Sequence, residues 1–209
     1  MSEIIKLEDV GISIGNKKIF QVNFSIQSGD FFLVKGSNAA GKSLLLKLLY
    51  LKILPSTGRI FVSGKKIDSN EKKTILEFRK KLGVILQNDF LIPFFSVYQN
   101  IQLASHIQNK KNSFDKRIIE IMDWLQLTEI KDEYIHKLSN GQKQRVVIAR
   151  AMINNPKIII ADQPENYLDE DAAKKLFFLF ESLNSLGVTI IMATNNEKTL
   201  GLNCKFVNL

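Results

Sequence analysis

Short apolar runs divided by turn residues fill the first third of the chain. Gly15-Asn16 and Ser28-Gly29-Asp30 separate the first three runs, and Ser63-Gly64 ends the fourth. Apolar runs of this length between glycine-rich turns are typical of β-strands. The pattern predicts strands over residues 4–10, 22–26, 31–35 and 59–62.

A repeat of apolar residues every three to four positions, which is typical of helices, begins at Ser43. The sequence SLLLKLLYLK has that spacing, and Pro55 ends the segment. The same spacing returns later and becomes dense in the middle of the chain. It predicts further helices over residues 71–81, 97–105, 113–125, 141–152 and 169–183.

Continuous apolar runs form a second kind of strand pattern. Residues 158–161 and 188–193 are apolar at nearly every position. A parallel strand that is covered by helices on both faces has this composition. Residues 83–86 predict a shorter strand of the same kind, and residues 206–209 predict a last one.

The order of these elements predicts a single α/β domain. Residues 1–87 and 155–209 would form its core, and a helical subdomain of about residues 88–154 would be inserted into that core. Because the backbone enters and leaves the insertion through the core, we expect the two parts to be rigidly coupled.

The sequence GSNAAGKS lies between a predicted strand and a predicted helix and fits the phosphate-loop pattern G-x-x-x-x-G-K-[ST]. Its glycines let the backbone approach a phosphate, and N–H groups at the helix N-terminus attract the anion. Lys42 would reach the β- and γ-phosphates of ATP, and the Ser43 hydroxyl would hold Mg²⁺. The predicted nucleotide-binding residues of this loop are Gly36, Ser37, Asn38, Ala39, Ala40, Gly41, Lys42, Ser43 and Leu44.

Asp162 follows the apolar run of residues 158–161, which places its carboxylate at the C-terminal edge of the parallel sheet. Ligands of open α/β sheets bind outside this edge. Beside a phosphate loop, an acid in this position fits the second metal-holding residue of P-loop enzymes. An aspartate that merely begins a loop is the alternative reading of Asp162 taken alone.

The sequence LSNGQ, residues 138–142, places a serine and a glycine at the start of a predicted helix. Ser139 and the following turn would offer a hydroxyl group and unpaired N–H groups to an anion. A simple serine-capped helix is the alternative. Because one helix N-terminus already serves the chain's own triphosphate, this second one is available to the nucleotide of another molecule.

Together these motifs resemble those of ABC-type ATPases, and the resemblance extends over essentially the whole chain. LSNGQ is similar to the family's LSGGQ signature, with Asn140 in place of one glycine, and residues 167–169 occupy the D-loop position. The resemblance implies a P-loop NTPase core of the ABC type with ATP and Mg²⁺ as cofactors. It also implies that Ser43, Asp162 and the Q-loop residue Gln87 are the metal ligands.

The same resemblance implies an ATP-dependent homodimer. Two protomers would lie head to tail and enclose two ATP molecules. The phosphate loop of one protomer would face Ser139, Gly141 and Gln142 of the other.

Three stretches are similar to one branch of the family, the cell-division ATP-binding proteins of the FtsE group. They are SLLLKLLY, residues 43–50, EFRKKLGVILQNDFLIP, residues 77–93, and SVYQNIQLA, residues 96–104. Lipoprotein-release and importer ATPases share the core motifs but match these stretches less well. The resemblance implies an integral membrane partner of the FtsX type that docks near residues 87–95. The apolar residues 90–95 suit a partner helix, and burial within the domain is the alternative.

Five residues depart from the pattern of an active ATPase. Gln163 replaces the glutamate that polarises the attacking water, and Asn195 replaces the histidine that contacts the γ-phosphate. Ile14 stands where an aromatic side chain stacks on adenine, and Glu165-Asn166 replace Thr-Gly. A glutamine accepts no proton and adds no negative charge, and losing a general base costs roughly 10²–10⁴-fold in rate. The sequence therefore predicts slow hydrolysis.

Two origins of Gln163 are compatible with the sequence: an introduced substitution and natural divergence. A glutamine introduced there would trap ATP in the dimer. The departures at Ile14, Glu165, Asn166 and Asn195 have no such purpose, so they favour natural divergence of the site.

Composition indicates the cellular compartment and the class of partner to expect for this chain. The chain has 209 residues, 45% of them hydrophobic, and a single cysteine, Cys204, which excludes an internal disulfide and fits a reducing compartment. It has neither an apolar run long enough to span a bilayer nor a secretion-signal pattern. The net charge of +8 comes from scattered lysines without a nucleic-acid-binding motif. We therefore expect a cytoplasmic protein, held at the inner face of the membrane by its partner, with no nucleic-acid partner.

Three functions fit these patterns. The first is a slow ATPase that drives a membrane partner in cell division. The second is a hydrolysis-deficient switch, in which ATP binding alone closes the dimer. The third is the nucleotide-binding subunit of a transporter for lipoproteins or small solutes.

Overall fold

Nine strands and six α-helices form the described part of the chain, which in this computed structural model comprises residues 2–86, 90–105, 114–194 and 204–209. The strands are β1 (Glu3–Ile14), β2 (Lys17–Gln27), β3 (Phe31–Lys35), β4 (Thr57–Val62), β5 (Lys65–Ile67), β6 (Leu82–Ile85), β7 (Ile158–Asp162), β8 (Thr189–Ala193) and β9 (Lys205–Asn208). The helices are α1 (Lys42–Leu49), α2 (Lys72–Arg79), α3 (Val97–Ser105), α4 (Phe114–Trp124), α5 (Asn140–Met152) and α6 (Glu170–Ser185). Two short 3-10 helices, Thr128–Ile130 and Ile135–Lys137, precede α5. The predicted α/β fold is confirmed.

The first sheet is antiparallel, with strand order β2-β1-β4-β5. Its β1–β2 hairpin is longer than the apolar pattern predicts, because backbone pairing continues through the exposed pairs Ser13 with Lys18 and Ile14 with Lys17. The sequence pattern did not predict strand β5. Two of its three residues are exposed lysines, and only Ile67 is buried.

The second sheet is parallel, with strand order β6-β7-β8-β3-β9. Every residue of β7 and β8 is buried, as expected for parallel strands covered on both faces. Side chains of β3 alternate between the two faces. Phe31 and Leu33 pack with α3 to α6, whereas Phe32 and Val34 pack with α1 and the antiparallel sheet.

Helix α1 lies in the core between the two sheets. Four of its leucines, Leu45, Leu46, Leu48 and Leu49, are fully buried there. Helices α3 to α5 belong to the other apolar cluster, which is continuous with the parallel sheet. The inserted subdomain at about residues 88–154 stays a prediction. Within the described ranges, no helix is both long and apolar enough to cross a bilayer.

Candidate nucleotide site

The phosphate loop joins the C-terminal end of β3 to the first residue of α1. Gly41 lies directly before α1 and has a φ of 101°, in the left-handed region that favours glycine. A Cβ atom at this position would lie 2.9 Å from Ile19 Cγ2 and 3.0 Å from Phe20 Cδ1. The hairpin therefore packs against the loop so closely that only glycine fits at its last position.

Lys42 is buried and its ammonium group is held within the loop. Its Nζ donates to the carbonyl oxygens of Gly36 at 2.7 Å and Ser37 at 3.1 Å. A buried ammonium is stable only with such partners, and its charge is little screened by solvent. The loop therefore presents a fixed positive charge as well as the N-terminus of α1.

A cleft of about 490 Å³ opens over this loop. Its volume is within the range of small-molecule sites. One lining residue, Gln163, comes from the turn after β7, so the structure brings two distant sequence motifs together. The cleft is lined by Asn38, Ala39, Gly41, Lys42, Ser43, Leu44 and Gln163.

Asp162 and Ser43 form the candidate metal site beside the loop. The Ser43 hydroxyl hydrogen-bonds the Asp162 carboxyl, and Asp162 is only 5% exposed. Burial raises the pKa of Asp162, whereas the Ser43 bond and the charges of Lys47 and Lys42 lower it. Its Oδ1 atom is buried without a hydrogen-bond partner in the part of the chain that the structure describes.

These groups fit Mg²⁺ bound with a nucleotide. Mg²⁺ is typically held by one or two protein oxygens, with phosphate oxygens and waters as its other ligands. The unpartnered Asp162 Oδ1 and the Ser43 hydroxyl supply oxygen atoms of that kind. The third predicted ligand, Gln87, lies outside the described residues.

Asn166 holds the side chain of Gln163. The Asn166 side-chain amide donates to Gln163 Oε1 at 2.9 Å, and its backbone N–H donates to the Gln163 carbonyl at 3.1 Å. The Gln163 N–H donates to the Ala193 carbonyl at 2.8 Å, which ties the turn to the end of β8. One lone pair of Gln163 Oε1 is therefore already used inside the turn.

Glu165 makes a second link between the turn and the strand β8. Its Oε1 accepts a hydrogen bond from the hydroxyl of Thr194, a buried residue directly after β8. Its Oε2 is buried and has no hydrogen-bond partner within the described chain. Sequence reasoning identified Glu165 and Asn166 only as departures from the family pattern. Asn195 lies outside the described residues.

Ser139 and Gln142 form a reciprocal cap at the start of α5. The Gln142 N–H donates to Ser139 Oγ at 3.2 Å, and the Ser139 N–H donates to Gln142 Oε1 at 2.9 Å. The spacing S-x-x-Q was a signal for this capping box. Neither residue, nor Gly141, is among the described lining of the cleft over the phosphate loop. Ser139 is exposed, as a contact with another molecule would require.

Helix α5 is joined to the turn after β7 by two contacts that sequence reasoning missed. The buried Gln144 donates through Nε2 to the Pro164 carbonyl at 2.9 Å. A Cβ atom at Gly141 would lie 2.8 Å from the Tyr167 carbonyl oxygen. Helix α5 and the turn that carries Gln163 are therefore packed together.

The predicted docking segment, residues 90–95, is only partly exposed. Phe90 is 68% exposed and Phe94 is 74% exposed, whereas Leu91 is buried. Asn100 fixes the segment by accepting from the Ile92 N–H at 2.8 Å and donating to the Ile92 carbonyl at 3.2 Å. The Phe90 and Phe94 side chains are thus exposed to solvent, while hydrogen bonds of Asn100 with Ile92 fix the backbone between them.

Comparisons with known proteins agree with these motifs. A family model described as ABC transporter matches residues 19–166. The cell division ATP-binding protein FtsE of Bacillus subtilis (strain 168) is 33% identical over 199 residues, which are 95% of this chain and 86% of that protein. The methionine import ATP-binding protein MetN of Francisella tularensis subsp. holarctica (strain OSU18) is 36% identical over 191 residues, which are 90% of this chain but 55% of MetN.

A solved structure has the same fold. An ATP-binding cassette determined as a dimer in a post-hydrolysis state, bound to ADP and Pi, superposes with a TM-score of 0.87. The sequences are 28% identical, and the match covers 99% of this chain and 94% of that one. The family match over residues 19–166 and the coverage of FtsE lead to one conclusion: the chain belongs to the ABC transporter family of ATP-binding subunits.

Proposed function

We propose that this chain is an ATP-binding subunit that forms a head-to-tail homodimer around ATP and Mg²⁺, hydrolyses ATP slowly, and drives or gates an integral membrane protein of the FtsX type in cell division. In that role it would lie in the cytoplasm against the inner face of the membrane. The proposal rests on one observation: the predicted nucleotide-binding groups lie at two separate places on the chain. Lys42, Ser43 and Gln163 line one cleft and Asp162 lies beside Ser43, while the exposed Ser139 turn is not part of the described lining of that cleft.

Lys42 supplies the positive charge for the β- and γ-phosphates, and the N-terminus of α1 adds its backbone N–H groups. Ser43 and Asp162 would hold Mg²⁺, which neutralises charge on the phosphates when bound. The Ser139 turn of the second protomer closes the cleft from the other side. Phosphoryl transfer depends mainly on positioning and charge, so these groups are sufficient for some turnover.

Gln163 limits the rate in this scheme. Its side chain lines the cleft, but an amide does not accept a proton. The Asn166 bond fixes the orientation of this amide, so Gln163 can position a water without activating it. We therefore expect tight ATP binding with slow hydrolysis.

The choice of membrane partner is supported by the similarity to FtsE and by the exposed aromatics. FtsE of Bacillus subtilis is 33% identical over 95% of this chain. Phe90 and Phe94 offer exposed apolar surface to a partner helix. A partner bound at Phe90 would be linked to α5, because Arg150 of α5 donates to the Phe90 carbonyl oxygen at 2.9 Å.

Measurement of ATP binding and phosphate release tests the enzyme function. The native chain is expected to bind Mg²⁺-ATP and to release phosphate slowly, and Lys42→Ala is expected to remove both activities. Phosphate release that persists in Lys42→Ala would contradict the proposed site. ATP-dependent dimers without phosphate release above the Lys42→Ala level would support the hydrolysis-deficient switch.

The 36% identity to MetN favours a solute transporter as the second candidate. Capture of the chain from membranes separates the two. Co-purification with an FtsX-type protein would support the cell-division role. Co-purification with a solute permease or a lipoprotein-release complex would replace it.

A further inference from the structure

The turn after β7 carries an acid at position 165 and a neutral amide at position 163. Position 163 is a glutamine, and Glu165, two residues later, is the only acid in residues 163–168. Both residues belong to a tight turn, in which the Asn166 N–H donates to the Gln163 carbonyl at 3.1 Å. The side chains of Gln163 and Glu165 therefore extend from the same backbone turn.

Glu165 is joined to the end of β8, as is Gln163. The Thr194 hydroxyl donates to Glu165 Oε1, and the Gln163 N–H donates to the Ala193 carbonyl at 2.8 Å. A hydrogen bond to a carboxylate is stronger than one between neutral groups. The carboxylate thus helps to hold the cleft-lining turn against the strand.

The second carboxylate oxygen of Glu165 has no evident structural purpose. Oε2 is buried and accepts no hydrogen bond within the described chain. Such a group destabilises the fold, and a buried polar atom without a partner is often retained for function. An amide in its place would keep the Thr194 bond through its oxygen and remove the charge.

We propose that Glu165 is a positioning residue for ATP hydrolysis, and that it supplies the negative charge that position 163 lacks in this chain. The inference rests on the proposed ATPase function and names the residue that sustains its slow rate. Glu165 does not line the described cleft and does not act as the base. It acts on the turn that carries Gln163, through the negative charge of its carboxylate and through its hydrogen bond with Thr194.

The chemistry explains why such a charge matters. During hydrolysis the water oxygen bonds to the γ-phosphorus, the bond to the bridging oxygen breaks, and ADP leaves with that electron pair. The water oxygen becomes more positive as the bond forms, and its proton passes to the phosphate product or to solvent. A nearby, partly buried carboxylate stabilises that positive charge in the transition state. It has little effect on the ground state, so it raises kcat rather than lowering KM.

A double-mutant cycle with Gln163→Glu and Glu165→Gln tests the proposal. In the native background, Glu165→Gln is expected to lower kcat roughly 10-fold, with KM for ATP changed less than about two-fold. In the Gln163→Glu background, the same substitution is expected to raise kcat roughly 10-fold, because it removes one of two neighbouring like charges. The effect of Glu165→Gln thus changes sign between the two backgrounds.

Stability measurements separate this role from a structural one. Glu165→Gln keeps an acceptor for Thr194 and removes a buried charge, so its melting temperature is expected to equal or exceed that of the native chain. Glu129→Gln removes the charge of an exposed acid in the 3-10 helix Thr128–Ile130 and serves as the matched control, with kcat unchanged. A fall in kcat that is matched by a fall in melting temperature would overturn the proposal.

The cycle also distinguishes failure of the inference from failure of the proposed function. Equal effects of Glu165→Gln in both backgrounds would overturn the inference and leave the ATPase intact. If the native kcat is no higher than that of Lys42→Ala, the effect of Glu165→Gln is measured in the Gln163→Glu background alone. Equal kcat values for Gln163→Glu and for the variant that carries both substitutions would then overturn the inference. Absence of ATP binding in every variant would instead overturn the proposed function.

Discussion

At the scale of single residues, the site is prepared for ATP before ATP arrives. Lys42 is already buried within the loop, bonded to two of its carbonyl oxygens, and Asp162 Oδ1 is left without a donor in the described structure. Gln163 is equally fixed, since Asn166 holds its amide. The proposed binding groups and the orientation of Gln163, the proposed water-positioning residue, are thus set by separate contacts, and mutation can separate them.

Removal of the Asn166 amide tests that separation. Asn166→Ala is expected to lower kcat by up to about ten-fold, because one neutral hydrogen bond contributes roughly 0.5–1.5 kcal/mol. ATP affinity should not change, since the Asn166 amide bonds Gln163 and Asn166 is not among the described residues that line the cleft. Titration of ATP binding and steady-state kinetics measure the two quantities. Asn70→Ala, in an exposed turn, is the control. A loss of ATP affinity in Asn166→Ala would contradict this assignment.

At the scale of elements, α5 and the turn after β7 are packed as one piece. Gln144 bonds the Pro164 carbonyl, and Gly141 leaves no room for a side chain beside the Tyr167 carbonyl. The turn carries Gln163 on the chain's own cleft, while the start of α5 carries Ser139. A movement of α5 on dimerisation would therefore reach the turn that carries Gln163 in the same chain.

The close approach at Gly141 gives a prediction about stability. Gly141→Ala puts a methyl group 2.8 Å from the Tyr167 carbonyl oxygen, so the helix or the turn must shift. Overpacking of this kind costs typically about 1–3 kcal/mol in the free energy of unfolding. Asn140→Ala, at the neighbouring exposed position, should change stability by less than about 0.5 kcal/mol. Chemical denaturation of both variants measures the difference, and equal stabilities would disprove the close contact.

Sequence patterns identified most of the elements but few of the contacts between them. The parallel strands β7 and β8 were predictable because burial on both faces demands apolar residues at every position. Strand β5 was not, because pairing with β4 rather than burial holds its two lysines in the sheet. The bond between Glu165 and Thr194 joins residues 29 positions apart, which no local pattern encodes. The cap formed by Ser139 and Gln142 is local, and its spacing could have revealed it.

At the scale of the whole molecule, the two exposed aromatics of residues 90–95 are the surface on which the proposed membrane partner depends. Phe94→Ser is expected to reduce co-purification with an FtsX-type protein at least about ten-fold, since buried aromatic anchors dominate such interfaces. ATP binding should be unaffected. Phe178→Ser is the matched control, because Phe178 is 71% exposed on α6. Equal loss of partner in both variants would indicate a non-specific effect of apolar surface.

The assembly of two chains around ATP is the central claim, and it is tested most directly by mixing two inactive variants. Lys42→Ala lacks the phosphate-binding charge, and Ser139→Arg blocks the turn that would face the other protomer. Each variant alone should stay monomeric in sedimentation experiments with saturating Mg²⁺-ATP, whereas the native chain should dimerise. An equimolar mixture contains one intact composite site per heterodimer, from Lys42 of one protomer and Ser139 of the other. The account predicts ATP-dependent heterodimers in that mixture. A mixture that stays monomeric while the native chain dimerises would contradict it.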